Sequence, residues 1–224
     1  MNFKFLGLAL IILATQSACV SMSSLQTAET LEKGKNQTTI GGGTYNSKQK
    51  QGSTSIETNL PYLEASYREG LADNLDAGVK LTIIGSYSAD VKYRLVKGEK
   101  FQFSVGGGLG YTDFSTGTGT SEIKNTYLDF MIPIYASYRF ADLFAIYATP
   151  RFVYRALHYS GAQEGNGNQS LGGGAAGMKI GKDWGIYAEA AYQKDLGAGS
   201  NFDLMQYNVS IFWEKAGGLL SGVL

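Results

Sequence analysis

Residues 127–140 alternate. Leu128, Phe130, Ile132, Ile134, Ala136, Tyr138 and Phe140 fall at one parity, and Tyr127, Asp129, Met131, Pro133, Tyr135, Ser137 and Arg139 at the other. Successive side chains of a strand point to opposite faces, so a strand gathers both charges on one side, where a helix would scatter them. After a tight connection at 141–143 the pattern returns. Phe144, Ile146, Ala148, Pro150, Phe152 and Tyr154 oppose Tyr147, Thr149, Arg151, Val153 and Arg155. Residues 75–87 set Leu75, Ala77, Val79, Leu81 and Ile83 against Asp76, Gly78, Lys80 and Thr82. Residues 101–111 and 206–213 alternate in the same way, and weaker candidates are 37–45, 58–67, 89–95, 171–180 and 185–192. The count is ten strands, or eight if a weak hairpin lies outside the membrane.

The connections alternate in length. Those at 69–74, 96–100, 141–143 and 181–184 are short, and those at 46–57, 112–125, 157–170 and 194–201 are long and polar, with a brief link at Tyr87-Ser88 as the exception. Short turns on one rim and long loops on the other predict an all-β, antiparallel up-and-down transmembrane β-barrel. Such barrels have an even strand number, with both chain ends at the periplasmic rim.

Alternation alone does not separate a membrane barrel from a soluble one, which buries its apolar parity. Strand length favours lipid, since about 9–11 tilted residues cross a bilayer. Aromatics cluster at strand ends of the apolar parity: Tyr87, Tyr111, Tyr154 and Tyr207 toward the long loops, Phe101, Phe140, Phe144 and Trp213 toward the short turns. They are spaced as two girdles at the lipid head groups. The polar parity mixes Gly, Ser and Thr with Glu64, Lys80, Asp129, Arg139, Arg151, Arg155, Lys179 and Glu189. Inside a barrel these charges neutralise one another, because an unpaired buried charge is costly. They read as a salt-bridged luminal core, or as a selectivity element if the lumen is open.

Composition narrows the function. Nineteen basic and nineteen acidic residues among 224 give no net field for nucleic acid. Frequent aromatics (15 Tyr, 11 Phe) exclude disorder. One cysteine excludes a disulfide framework and a multi-cysteine metal site. No cofactor is expected.

The N-terminus reads as an address. A basic start, an apolar run from Phe5 to Ala14 and a small polar stretch make residues 1–18 a secretory signal peptide. Ser17-Ala18-Cys19 resembles the end of a bacterial lipobox, although Gln16 departs from it. The resemblance implies a lipid attached at Cys19. Residues 19–34 are polar and read as a periplasmic tether, residues 35–213 as the barrel, and residues 214–224 as a C-terminal tail.

Signal, tether, alternating strands and the closing aromatics Phe212-Trp213 resemble the small outer-membrane β-barrel proteins of Gram-negative-type bacteria. The likeness rests on pattern over residues 35–213. It implies outer-membrane lipid and the barrel assembly machinery as partners, with any extracellular partner unspecified. It departs from that group in one respect, because the terminal aromatic that the assembly machinery reads is here followed by the tail.

No catalytic constellation stands out. His158 is the single histidine, in a long loop. Ten-stranded outer-membrane proteases resemble the chain in size but carry an Asp-x-His element, and position 156 is Ala. Gly106-Gly107-Gly108 and Gly172-Gly173-Gly174 lie within strand patterns, so they are not phosphate loops. The expected role is structural or surface-interacting and non-enzymatic. The alternatives are a small-solute pore and a lipid-modifying enzyme or lipid binder.

Overall fold

The computed structural model describes residues 21–218, apart from 52–53, 84, 117–121, 162–163 and 198–201. Ten strands follow in chain order: β1 Lys35–Gln51, β2 Thr54–Ala72, β3 Leu75–Thr82, β4 Ser86–Lys97, β5 Phe101–Thr116, β6 Ile123–Ala141, β7 Phe144–Gly161, β8 Gly165–Gly181, β9 Trp184–Asp195 and β10 Phe202–Ala216. Each pairs antiparallel with the next, and β1 pairs with β10 from Lys35↔Ala216 to Gln49↔Phe202, closing the barrel. Closure satisfies the main-chain groups between strands, which is what hydrocarbon demands of a sheet. The expected up-and-down barrel therefore forms, with ten strands rather than eight.

The sequence parities become the two faces. On β6, Ile132 is 60% exposed and Asp129 only 1%. Apolar side chains such as Leu81, Leu109, Phe130, Ile146, Val209 and Ile211 cover the outside, while the buried residues inside are mostly polar, charged or tyrosine. This reverses the oil-drop arrangement of a soluble barrel and leaves a surface whose solvent is lipid.

Five boundaries differ from expectation. The strands next to the long connections run further than the alternation shows: β1 reaches Gln51, β6 begins at Ile123 and β7 reaches Gly161. There the sequence no longer alternates cleanly, yet main-chain pairing continues, as in Lys50↔Ser55 and Thr126↔His158. The link placed at Tyr87-Ser88 falls instead between Thr82 and Ser86, which pair at the ends of β3 and β4. β10 continues to Ala216, so Glu214 belongs to the barrel and not to a tail. The largest difference is at the N-terminal side. Residues 21–33, expected within a periplasmic tether, lie in the lumen, where Ser21, Met22, Ser23, Leu25, Thr27, Ala28 and Thr30 are buried. Small polar residues that look solvated in sequence fit a narrow bore whose wall supplies hydrogen bonds in place of water. Residues 1–18 and Cys19 lie outside the described residues.

Candidate functional site

Gly34 reverses the chain at the short-turn rim. Its φ of 76° lies in the left-handed region, which glycine enters without steric cost. Its N–H donates to the Gly70 carbonyl at 2.9 Å. From this turn β1 leaves along the wall, and residues 21–33 run back through the lumen as a strap with neither helix nor strand. Beside the turn, Lys35 Nζ sits 2.8 Å from the Glu32 carboxylate and holds that carboxyl below its ordinary range.

Wall side chains bind the main chain of the strap. The Met22 N–H donates to Gln206 Oε1 at 2.9 Å, and the N–H groups of Ser24 and Leu25 donate to the Glu189 carboxylate at 2.9 and 2.8 Å. Further down, the Ala28 N–H donates to Ser137 Oγ at 3.2 Å and the Leu31 N–H to Asp76 Oδ2 at 3.1 Å. The carbonyls are served by donors. Lys80 Nζ reaches those of Ser21 and Ser23 at 3.1 and 2.7 Å, and Arg151 reaches that of Met22 at 2.5 Å. Lys92 Nζ reaches those of Thr27 and Glu29 at 3.1 and 2.8 Å, and the Ser104 hydroxyl that of Ala28. Inside a barrel these peptide groups would otherwise be unsatisfied, at a cost comparable to a lost hydrogen bond each.

Strap side chains fill sockets. Met22 packs with Tyr45, Tyr62, Tyr127, Ala175, Ala191 and Leu204, and Leu25 with Tyr147, Tyr187 and Phe212. Ala28 is fully buried. The hydroxyls of Ser21 and Ser23 donate to the Glu64 carboxylate, Ser23 at 2.6 Å. Low in the bore, Glu29 pairs with Arg139 at 2.6 Å.

The charge cluster read from the sequence therefore divides. Only Asp129 and Arg155 pair within it, at 2.7 and 2.8 Å. Glu64, Lys80, Arg139, Arg151 and Glu189 turn to the strap, and Lys179 pairs with Glu214 at 3.1 Å. A second cluster was missed. Arg68 bridges Asp76 and Asp90, with Lys92 3.4 Å from Asp76. Of the aromatic girdle positions, Tyr87, Phe101, Tyr111, Phe140, Phe144, Tyr154 and Tyr207 are exposed on the outer face, whereas Trp213 is half-buried. Trp184, its register partner, is 74% exposed and was not anticipated. His158 is exposed, with Nδ1 2.7 Å from Asn166 Oδ1.

One signal could have revealed the strap. Met22, Leu25, Ala28 and Leu31 recur every third residue, a period that belongs to neither strand nor amphipathic helix. Below the strap's middle, a polar cavity of about 340 Å³ opens at the short-turn rim, lined by Glu29, Lys92, Arg139, Lys179 and Glu214 among others. A void of about 60 Å³ remains beside Gly108, Tyr135 and Arg151.

No protein-family profile matches the chain, and no curated protein matches it. Among solved structures it is similar to an outer-membrane channel from Pseudomonas putida F1, with 9% identity, coverage of 84% of this chain and 98% of that one, and a TM-score of 0.54. It is also similar to the outer-membrane protease OmpT from Escherichia coli, with 12% identity, coverage of 86% and 100%, and a TM-score of 0.50. The fold is that of bacterial outer-membrane β-barrels, and the apolar belt is the surface that this location requires. A channel and a protease share the fold, so the fold alone assigns no activity.

Proposed function

We propose that the protein is a self-plugged barrel of the outer membrane, a structural and surface-interacting protein that works through its outward strand extensions and polar connections and not as an open pore. One observation carries this reading. The strap occupies the bore, and the luminal charges that would line a conduction path are spent on its main chain and side chains or on one another. Support comes from Met22, which packs with Tyr45, Tyr62 and Tyr127 and donates its N–H to Gln206, above the polar cavity. Ten-stranded barrels are narrow enough for side chains and one extended segment to fill, whereas about 16–18 strands leave an aqueous channel.

Planar-bilayer recording of the full chain tests this. Bilayers containing the folded protein are expected to show no steady channel current, and large, steady unitary currents would replace the plugged reading with that of a small-solute pore. The third reading, chemistry on lipid at the rim near His158, is tested by His158→Ala and the pattern of lipid A and phospholipid products. An unchanged pattern removes it.

A further inference from the structure

The strap and the wall are built as two bodies. Every strand finds its main-chain partners in other strands, and the sheet closes on itself without residues 21–31. Among the described main-chain bonds outside the strands, none joins residues 21–31 to the wall. The strap is instead held by side chains, and those side chains address peptide groups of both polarities. Acceptors (Gln206, Glu189, Ser137, Asp76) meet N–H groups, and donors (Lys80, Arg151, Lys92, Ser104) meet carbonyls.

We propose that the lumen is a binding site for an extended polypeptide, recognised through its main chain, and that residues 21–33 are its resident ligand rather than a piece of its wall. The chemistry selects this ligand class. An anion such as a phosphate offers acceptors only, and it would meet the carboxylates of Glu64 and Glu189 on the same walls as Lys80 and Arg151. A peptide presents donors and acceptors in alternation, which is what the bore matches. Side-chain selectivity enters at three sockets spaced three residues apart, those of Met22, Leu25 and Ala28. The preferred ligand is thus an extended segment with two apolar residues and then a small one at that spacing, and small polar residues between. The inference uses the strap but does not depend on the closed-pore reading, since a conducting barrel can still bind a peptide.

The test keeps the full chain and folds it first. A protease site is inserted between Lys33 and Gly34, beside the exposed Glu32 carboxylate, and folding is verified by heat-modifiable migration before cleavage. After cleavage the N-terminal fragment is expected to stay with the barrel through gel filtration in detergent. It should leave in urea that preserves the heat-modifiable band. A fluorescent synthetic peptide of residues 21–33 should then bind the stripped barrel. The same peptide with Ser24→Ala should compete within about threefold of the parent, whereas N-methylation at Ser24 and Leu25 should weaken competition at least about tenfold, because it removes the donors that Glu189 accepts. The proposal is overturned if the fragment elutes apart from the barrel on cleavage, if it cannot be removed without unfolding the barrel, or if the N-methylated peptide competes as well as the parent. Because the bilayer currents report on conduction and the peptide on binding, the two readings fail separately.

Discussion

Arg155 lays its guanidinium on the Asp129 carboxylate with two bonds, Nε to Oδ1 at 2.7 Å and Nη2 to Oδ2 at 2.8 Å, between register partners on β7 and β6. Both side chains are almost fully buried, and the fork geometry is the strong form of this pair. Removing one partner strands the other charge. Asp129→Ala is expected to lower the unfolding free energy by about 3–5 kcal/mol, while replacing both residues by Leu costs much less. Urea unfolding in micelles, read by loss of the heat-modifiable band, checks this. Equal losses in the single and double variants contradict it.

The outer face gives a second prediction. Ile132 points from the middle of β6 into lipid, so Ile132→Arg should cost about 2–4 kcal/mol near the midplane. Ile132→Leu, which conserves volume and polarity, should cost under about 1.5 kcal/mol. Similar values for the two variants show that water, not hydrocarbon, surrounds this side chain.

The strap's upper anchor gives a third. Met22→Asp places a carboxylate among Tyr45, Tyr62, Tyr127 and Leu204, where the cations nearby are already engaged, Arg151 and Lys80 by strap carbonyls and Arg155 by Asp129. The strap should loosen while the wall, closed by its own main-chain pairs, persists. Limited proteolysis should then cut residues 21–33 at least about tenfold faster than in the parent, with the heat-modifiable band retained, since loss of docking by about 1.4 kcal/mol corresponds to a tenfold change in the open population. Unchanged cleavage counts against docking through Met22.

A fourth concerns room in the bore. A Cβ at Gly106 would lie 2.7 Å from the Val91 carbonyl oxygen and 3.1 Å from the Tyr135 ring. Gly106→Val is therefore expected to destabilise the barrel by about 1–3 kcal/mol through overpacking. At Gly107, the next residue and on the other face, an added Cβ meets nothing within 4 Å. Gly107→Val serves as the neutral control in the same urea series.

The fold was legible because β6 and β7 carry a clean division of parity over their whole membrane-facing length. One face must please lipid and the other a crowded interior, so each residue reports its side. Past the lipid that constraint lapses. Lys124, Asn125 and Thr126 are polar at both parities and gave no strand signal, although their main chains pair with β7. The luminal charges were legible as a set but not as pairs. Pairing depends on register and on what else enters the bore, so Glu189 and Arg151, expected to neutralise charges across the wall, instead hold Leu25, Ser24 and Met22. Arg68, at the end of its hairpin, lay beyond the alternation that drew attention to Lys80. The strap escaped because neutral Ser, Thr and Ala mark no apolar face, and its period of three was outside the templates for helix and strand.

Crosslinking the strap to the wall tests the account most directly. In a Cys19→Ser background, which removes the single native cysteine, Ala28→Cys is combined with Ser104→Cys, whose parent residues meet through the Ala28 carbonyl, and as a control with Ile132→Cys on the outer face. Mild oxidation of the folded full chain should join the first pair in high yield, seen as a mass loss of about two hydrogens, and leave the second unjoined. If neither pair joins and the thiol introduced at position 28 reacts with a water-soluble maleimide as fast as an exposed thiol, the strap is not in the lumen.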